Sequence, residues 1–300
     1  MTTVVALGGN ALIRPGQRGT AAEQLANLQR AVAALQPLLH EDGVVITHGN
    51  GPQVGNELLR QERAADEAPP LPLWLAVAQT QAEIGALILA ELRAALWDRK
   101  LACMLTHVRV AADDTAFDRP TKPIGPFYSA EQSERLERER GWKMTSDANR
   151  GHRRVVPSPV PVEILELDVI RRLAADGTVV IACGGGGIPV VSRAGRITGV
   201  DAVIDKDRAS ALLARQLGAD RLVILTEVPA VFRNFGEPEQ TEIRELSVAA
   251  ASELVPQLAE GSMRPKIEAA LTFAGETLIT SFEVLDETLA GRGGTRVRPK

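Results

Sequence analysis

The sequence predicts an α/β fold with a mostly parallel sheet and crossover helices. Short apolar, β-branched runs alternate along the chain with longer segments of helical apolar spacing, which is the order expected for strands and crossover helices. Three of the strand-like runs end in a glycine turn. The 300 residues, 45% of them hydrophobic, are enough to bury the core of one large α/β unit or of two domains.

The predicted strands and helices alternate through most of the chain. Strands are predicted at residues 3–7, 44–47, 102–110, 179–182, 222–225 and 277–280. Helices are predicted at residues 21–39, 54–65, 73–97, 163–175, 206–217 and 264–274. Residues 190–200 are predicted to form a hairpin in which Gly195 has a positive φ. We find no internal repeat and no low-complexity tract.

Residues 113–154 interrupt this alternation. The segment is polar and nearly charge-balanced, and it contains Pro120, Pro123, Gly125 and Pro126. Its charged run, residues 131–140, is typical of a solvated helix face. Long insertions of this kind are commonly active-site lids or binding loops. We expect a small excursion from the main sheet that acts as a lid.

The charge and composition exclude several classes of partner. A net charge of −4 gives no support to binding of nucleic acid or of a membrane surface, which would need a basic stripe or a cationic amphipathic face. The first residues are strand-like and lack a basic n-region and an apolar h-region, so we expect no secretory signal and a cytoplasmic protein. The apolar segment 71–97 carries several charged and amide side chains, which is wrong for a lipid-spanning helix. We expect Cys103 and Cys183 to be buried free thiols.

The glycine turns indicate an anion-binding site. Gly8-Gly9-Asn10, Gly49-Asn50-Gly51 and the run Gly184 to Gly187 each follow a strand. A strand that ends in glycines before a helix exposes backbone N–H groups where the helix dipole favours an anion. Any single turn could be only a tight connection. Three of them at the carboxyl ends of parallel strands favour a ligand crevice.

Three lysines stand in unusual sequence contexts near these turns. Lys122 lies between prolines, Lys206 lies between Asp205 and Asp207, and Lys266 follows a loop that enters a helix. Phosphoryl transfer needs positioned cations, because charge spreads over the oxygens of the moving group. Taken singly, each could be a surface lysine. Asp207 could orient Lys206 and a second lysine, whereas capping a helix is as good an interpretation for Asp205.

Other cofactor signals are weak. The P-loop and dinucleotide-binding fingerprints do not fit the glycine turns. No cluster of His, Cys and carboxylate residues has the spacing of metal ligands. We therefore expect that any Mg²⁺ is carried by nucleotide phosphates, with no protein cage.

Seven ordered motifs resemble those of carbamate kinases of the amino acid kinase family, over essentially the full length of the chain. They lie at residues 4–11, 48–56, 120–127, 155–159, 183–191, 202–207 and 261–270. The resemblance implies a three-layer αβα sandwich with an open, mainly parallel sheet, a homodimer, and Mg²⁺-dependent reversible phosphoryl transfer between ATP and carbamate, giving carbamoyl phosphate and ADP. It also implies one domain, in which residues 1–200 hold carbamoyl phosphate, residues 201–300 hold the nucleotide, and the insert is a protruding subdomain.

The resemblance also implies roles for individual residues. The transferred phosphoryl group and the carbamate would be held by Gly8, Gly9, Asn10, Gly49, Asn50 and Gly51, with Gly184, Gly185 and Gly186 forming one wall of the acceptor pocket. Lys122 and Lys206 would neutralise the phosphoryl oxygens, and Asp207 would order the lysines. The nucleotide would be bound by Lys206, Asp207, Thr226, Met263, Pro265 and Lys266.

Two departures from the family pattern leave alternatives open. Pro229 removes an N–H donor beside the expected nucleotide site, and Asn149 and His152 replace a glycine and an aromatic residue in the insert. One alternative is a kinase for another carboxylate or phosphate acceptor. The other is a nucleotide-binding regulator that has lost catalysis.

Overall fold

The strands define the frame of the protein. A computed structural model describes residues 1–146, 151–258 and 263–299, except for the side chain of Asn10. In these ranges the strands are β1 (Thr2–Leu7), β2 (Gly43–His48), β3 (Leu101–Cys103), β4 (His107–Val110), β5 (Lys122–Tyr128), β6 (Lys143–Ser146), β7 (His152–Val156), β8 (Pro161–Ile164), β9 (Val179–Ile181), β10 (Ile188–Arg193), β11 (Arg196–Gly199), β12 (Arg221–Leu225), β13 (Val231–Arg233), β14 (Thr241–Ile243), β15 (Glu245–Ser247), β16 (Glu276–Thr280) and β17 (Thr295–Arg298).

The helices connect these strands. In the same ranges they are α1 (Ala21–Leu39), α2 (Gly51–Arg63), α3 (Leu73–Ala95), α4 (Ala130–Arg140), α5 (Leu167–Ala175), α6 (Lys206–Leu217), α7 (Val248–Leu254), α8 (Arg264–Phe273) and α9 (Leu285–Leu289). Several begin at caps that the sequence encodes, such as the capping box of Thr20 and Glu23 at α1.

The main sheet has eight strands in the order β15-β17-β16-β12-β1-β2-β9-β3. The six strands from β16 to β3 run parallel, and β17 is antiparallel to β16. Central strands such as β1 and β2 are almost completely buried, which explains why they are continuous β-branched runs with no polar alternation. The predicted α/β fold with a mainly parallel sheet is confirmed.

Two hydrophobic cores make the protein a three-layer sandwich. On one face of the sheet, Leu28 and Leu35 of α1 pack with Ile84 and Ile88 of α3. On the other face, α6 and α8 contribute to a second core with buried residues such as Leu212. Among the described helices, α3 is the one long and apolar enough to cross a membrane by composition, and here it is a core helix that contacts α1, α2 and β3.

The insert forms a small antiparallel sheet, β5-β7-β6, with α4 beside it. The predicted excursion from the main sheet is therefore present, although its last strand continues to Val156. The charged run is α4, which exposes most of its residues and turns Leu136 inward. Asn149, one of the departures from the family pattern, lies outside the described residues, whereas His152 begins β7.

The insert docks directly on α2. A Cβ atom built on Gly55 would lie 1.9 Å from the Cα of Gly125, so the two backbones are in close contact. Beside this contact, Glu62 pairs with Arg140 and lies 3.6 Å from Arg154, whose guanidinium lies 4.4 Å from the Trp142 ring centroid. The backbone of the insert is thus fixed to the helix that follows the second glycine turn.

Several predicted elements differ in detail. The strand predicted at 102–110 is two strands in different sheets, because the amide and carbonyl of Thr106 bond to Gln81 and Ile188 between them. The helix predicted at 163–175 begins at Leu167, because residues 161–164 pair with β4. The hairpin is confirmed, and both turn residues have positive φ, 48° at Ala194 and 77° at Gly195.

The two cysteines are free thiols, as predicted. Cys183 is buried, and its desolvation raises the pKa of the thiol well above its usual range. The prediction of burial is wrong for Cys103, which is exposed because β3 is the edge strand of the main sheet.

Candidate active site

The three glycine turns meet at one edge of the main sheet. They follow β1, β2 and β9, which are adjacent parallel strands, so their carboxyl ends point to the same side. The N-termini of α2 and α6 reach this edge as well: a Cβ atom built on Gly49 would lie 3.3 Å from the Cδ atom of Lys206. This is the crevice in which open α/β sheets bind ligands.

The first turn has one glycine in contact and one in open space. A Cβ atom on Gly8 would lie 2.5 Å from the carbonyl oxygen of Leu225, at the end of β12. Apart from its two chain neighbours, no heavy atom of the described residues lies within 4 Å of the corresponding position on Gly9. A side chain at residue 9 would therefore point into open space. The side chain of Asn10, also predicted to bind substrate, lies outside the described part of the chain.

The second turn opens a helix N-terminus toward the cleft. Asn50 is the N-cap residue of α2, but its side chain makes no cap hydrogen bond and donates instead to Thr80 Oγ1 at 3.0 Å. Pro52 in the first turn of α2 has no N–H group, and the N–H groups of Gly51 and Gln53 have no side-chain cap among the described residues. Uncapped N–H groups at the positive end of a 13-residue helix are suited to bind an anion.

The third turn is bare for a reason that the sequence does not reveal. The run from Gly184 to Gly187 is buried, and it packs against the second turn and the loop before α6. A Cβ atom would lie 2.2 Å from His48 Nε2 at Gly184, 2.4 Å from Asn50 Nδ2 at Gly185 and 2.1 Å from Ile204 O at Gly186. Internal packing thus requires these glycines. Their predicted contact with substrate stays a prediction.

His48 lies beneath this packing and is completely buried. Its Nδ1 lies 3.0 Å from the carbonyl oxygen of Gly49, and its Nε2 has no hydrogen-bond partner among the described residues. Desolvation lowers the pKa of the imidazole to about 4, so the ring is neutral at physiological pH. A neutral imidazole supports the shape of the turn without adding a charge.

The predicted lysines and Asp207 come together at the mouth of the crevice. Lys206 begins α6, and its ammonium pairs with Asp207 Oδ1. The ammonium of Lys266, in the first turn of α8, lies 3.4 Å from Asp207 Oδ2. Asp207 thus contacts Lys206 and a second lysine; its role in ordering them for catalysis stays a prediction.

Lys122 reaches the same cluster from the insert, where it pairs with Asp205 Oδ2. The insert lies close to the second turn, because a Cβ atom on Gly51 would be 3.8 Å from the carbonyl oxygen of Pro123. Asp205 also caps α6, as predicted, since its Oδ1 accepts from the N–H groups of Asp207 and Arg208. Its second role as the partner of Lys122 was missed, because no sequence pattern pairs positions 83 residues apart.

Burial and charge oppose each other in this cluster. Burial would raise the pKa of Asp205 and of Asp207, but the neighbouring ammonium groups outweigh it and hold both pKa values below their usual range. Burial lowers the pKa of Lys206, against the effect of Asp207. Both carboxylates are therefore ionised, and each already forms an ion pair with at least one lysine ammonium group.

Glu268 of α8 joins this helix to α6 through Arg208, and it also pairs with Arg264 in its own helix. Glu268 accepts from Arg208 at 3.1 Å and from Arg264 at 3.0 Å. This bridge holds the first turn of α8, which carries Lys266, beside the first turn of α6.

The remaining predicted nucleotide residues border this region. Thr226 follows β12, next to the first turn, and its N–H donates to the carbonyl of Thr280 at 2.8 Å. Met263 and Pro265 lie at the start of α8. Residues 261 and 262 of the same motif lie outside the described residues. Within the described ranges, no group of three or more His, Cys, Asp or Glu side chains is arranged to hold a metal ion.

Comparisons with known proteins agree on one family. The profile of the amino acid kinase family matches residues 1–281. The carbamate kinase of Staphylococcus haemolyticus is 46% identical over 310 aligned residues, covering 98% of both chains. The structure of carbamate kinase from Giardia lamblia bound to citric acid superposes with a TM-score of 0.93 at 35% sequence identity, covering 99% of this chain and 98% of that chain. The structure of carbamate kinase from the same organism bound to AMP-PNP superposes with a TM-score of 0.89 at 36% identity, with the same coverage of both chains.

Proposed function

The chain belongs to the carbamate kinases of the amino acid kinase family, and we propose that it catalyses reversible phosphoryl transfer between ATP and carbamate, giving carbamoyl phosphate and ADP. The observation that carries this proposal is the cluster of three lysine ammonium groups beside the uncapped N-terminus of α2. We propose ATP formation as the direction used in the cell.

The cluster suits a transition state whose charge is spread over the phosphoryl oxygens. Catalysis of this transfer is mostly positioning and electrostatic stabilisation. Lys206, next to Gly49, would face the phosphoryl group from α6, and Lys122 would face it from the insert. The N–H of Gly51 and the backbone at Gly9 would hold the remaining oxygens and the carbamate. The small acceptor pocket would include Gly184, Gly185 and Gly186.

The nucleotide would lie on the side of Lys266 and Thr226, in the lobe from residue 201 onward. Met263 and Pro265 would border it, and Lys266 would contact its phosphates. AMP-PNP in the Giardia relative supports a nucleotide site in this fold. The lobe of residues 1–200 would hold carbamoyl phosphate, with the insert as its protruding subdomain.

Mg²⁺ would enter with the nucleotide. The carboxylates at the site, Asp205 and Asp207, are both engaged by lysine ammonium groups. They offer no free cage for a hard cation, so phosphate oxygens would supply its ligands together with water. When bound, Mg²⁺ would neutralise charge on the phosphates.

The direct test is ATP formation from ADP and carbamoyl phosphate by the purified, folded protein with Mg²⁺. Turnover supports the proposal. Nucleotide binding in a calorimeter without turnover would indicate the regulator that has lost catalysis. Turnover with ATP and a larger carboxylate, but none with carbamoyl phosphate, would indicate a kinase for another acceptor.

We also propose a cytoplasmic homodimer. The edge strand β3 is flanked by Trp97 and Leu105, which expose 81% and 53% of their surface. An edge strand beside exposed apolar side chains is suited to an interface. The mass of the protein by light scattering tests this: twice 32.1 kDa is expected, and a monomer would contradict it.

A further inference from the structure

One carboxylate joins the insert to the first turn of α6. Asp205 is 8% exposed, and its two oxygens point to different partners. Its Oδ1 accepts from the N–H of Asp207 at 2.9 Å and from that of Arg208 at 3.3 Å. Its Oδ2 accepts from Lys122, which is on the insert.

A helix cap alone does not require this arrangement. Ser, Thr and Asn cap helices about as well as Asp, and none of them carries a charge. A carboxylate is needed only for the second contact, where its charge pairs with an ammonium. Because Oδ1 is fixed to the first turn of α6, Oδ2 defines a position for Lys122 relative to Lys206, the first residue of that helix.

We propose that Asp205 is the positioning residue for Lys122: it holds the ammonium of the insert at a fixed place beside Lys206, so that both cations face the same phosphoryl group. The proposal rests on the proposed function, since it takes Lys122 to contact that group. An ammonium has three N–H donors, so Lys122 can keep its bond to Asp205 while it donates to phosphoryl oxygens.

The test separates the cap from the charge. Asp205→Asn keeps a capping oxygen and removes the charge, and Asp205→Ser keeps a shorter capping oxygen. We expect kcat to fall by about tenfold or more in both, since a small misplacement of a reacting group is costly. The matched control is Asp201→Asn, which removes the same charge in the same loop and keeps an oxygen for the N–H of Trp74. We expect its kcat to stay within about twofold of the original.

A double-variant cycle shows whether Asp205 acts through Lys122. In the Lys122→Ala background, Asp205→Asn should cause no further loss of kcat. An equal loss in both backgrounds would overturn the proposal, as would an unchanged kcat in folded Asp205→Asn and Asp205→Ser proteins. Thermal unfolding of each variant identifies any that fails to fold.

Hydrogen exchange gives a readout without turnover. In the ligand-free protein, the amides of β5 should exchange about tenfold faster in Asp205→Asn, because a charged hydrogen bond that holds the insert is lost. Unchanged exchange would also count against the proposal. If the original protein has no kinase activity, the proposed function fails, whereas faster exchange would still show that Asp205 holds Lys122.

Discussion

The contact between Gly55 and Gly125 allows a sharp prediction. In Gly55→Ala, the new methyl carbon would lie 1.9 Å from the Cα and 2.0 Å from the N of Gly125. Ordinary contact begins near 3.4 Å, so the insert must move away from α2 by about 1.5 Å. Both clashing atoms are backbone, so no rotamer change relieves the overlap.

This displacement would carry Lys122 with it, because Lys122 and Gly125 belong to the same strand. A misplacement of about 1 Å can lower a rate about 10²-fold, and we expect a fall in kcat of that order. The alanine itself favours the helix by about 1 kcal/mol. A loss of activity would therefore come from the contact, and not from a weaker α2.

The assay is steady-state ATP formation from carbamoyl phosphate, with Arg60→Ala as the control on an exposed position of the same helix. The control should keep its activity. If Gly55→Ala keeps kcat within about twofold, the insert tolerates the shift and the close docking does not position Lys122.

Three further predictions follow from the site. Lys122→Ala should lower kcat by roughly 10²- to 10³-fold with the fold intact by circular dichroism, by analogy with removal of one preorganised stabilising group; a near-normal rate would show that the insert supplies no catalytic cation. His48 has its folded pKa lowered from 6.5 to about 4, so the unfolded chain binds its proton first as the pH falls, and stability should decrease by roughly 3 kcal/mol between pH 7 and 4. Urea unfolding at several pH values measures this slope, and a His48→Gln protein with the same slope between pH 5 and 7 would contradict it. Gly184→Ala should destabilise the protein by about 1–3 kcal/mol through overpacking against His48; an unchanged urea midpoint would refute the packing explanation.

The sequence was sufficient to predict the sheet and the meeting of the three glycine turns at one of its edges. Buried parallel strands are continuous apolar runs, and their carboxyl ends meet at one edge, so the glycine turns after β1, β2 and β9 could be placed together in advance. The pairing of Lys206 with Asp207 could also be predicted, because the two residues are neighbours in the chain.

Contacts between segments that are distant in the chain could not be predicted from the sequence. The pairing of Lys122 with Asp205 and the contact of Gly55 with Gly125 depend on how the insert folds back on the main unit. No local pattern encodes that orientation. The glycines of the third turn illustrate the same limit, because a missing side chain has the same appearance in a sequence whether ligand or protein occupies the space.

The packing of the third turn restricts how this enzyme could be redesigned. A larger acceptor substrate needs a wider pocket. An acceptor with different polar groups needs new side chains along the wall of that pocket. Residues 184–186 cannot supply them, because each position is already filled by His48, Asn50 or the backbone of Ile204. Gly9 has open space around it. Libraries that vary acceptor preference should therefore begin at residue 9 and should leave the third turn unchanged.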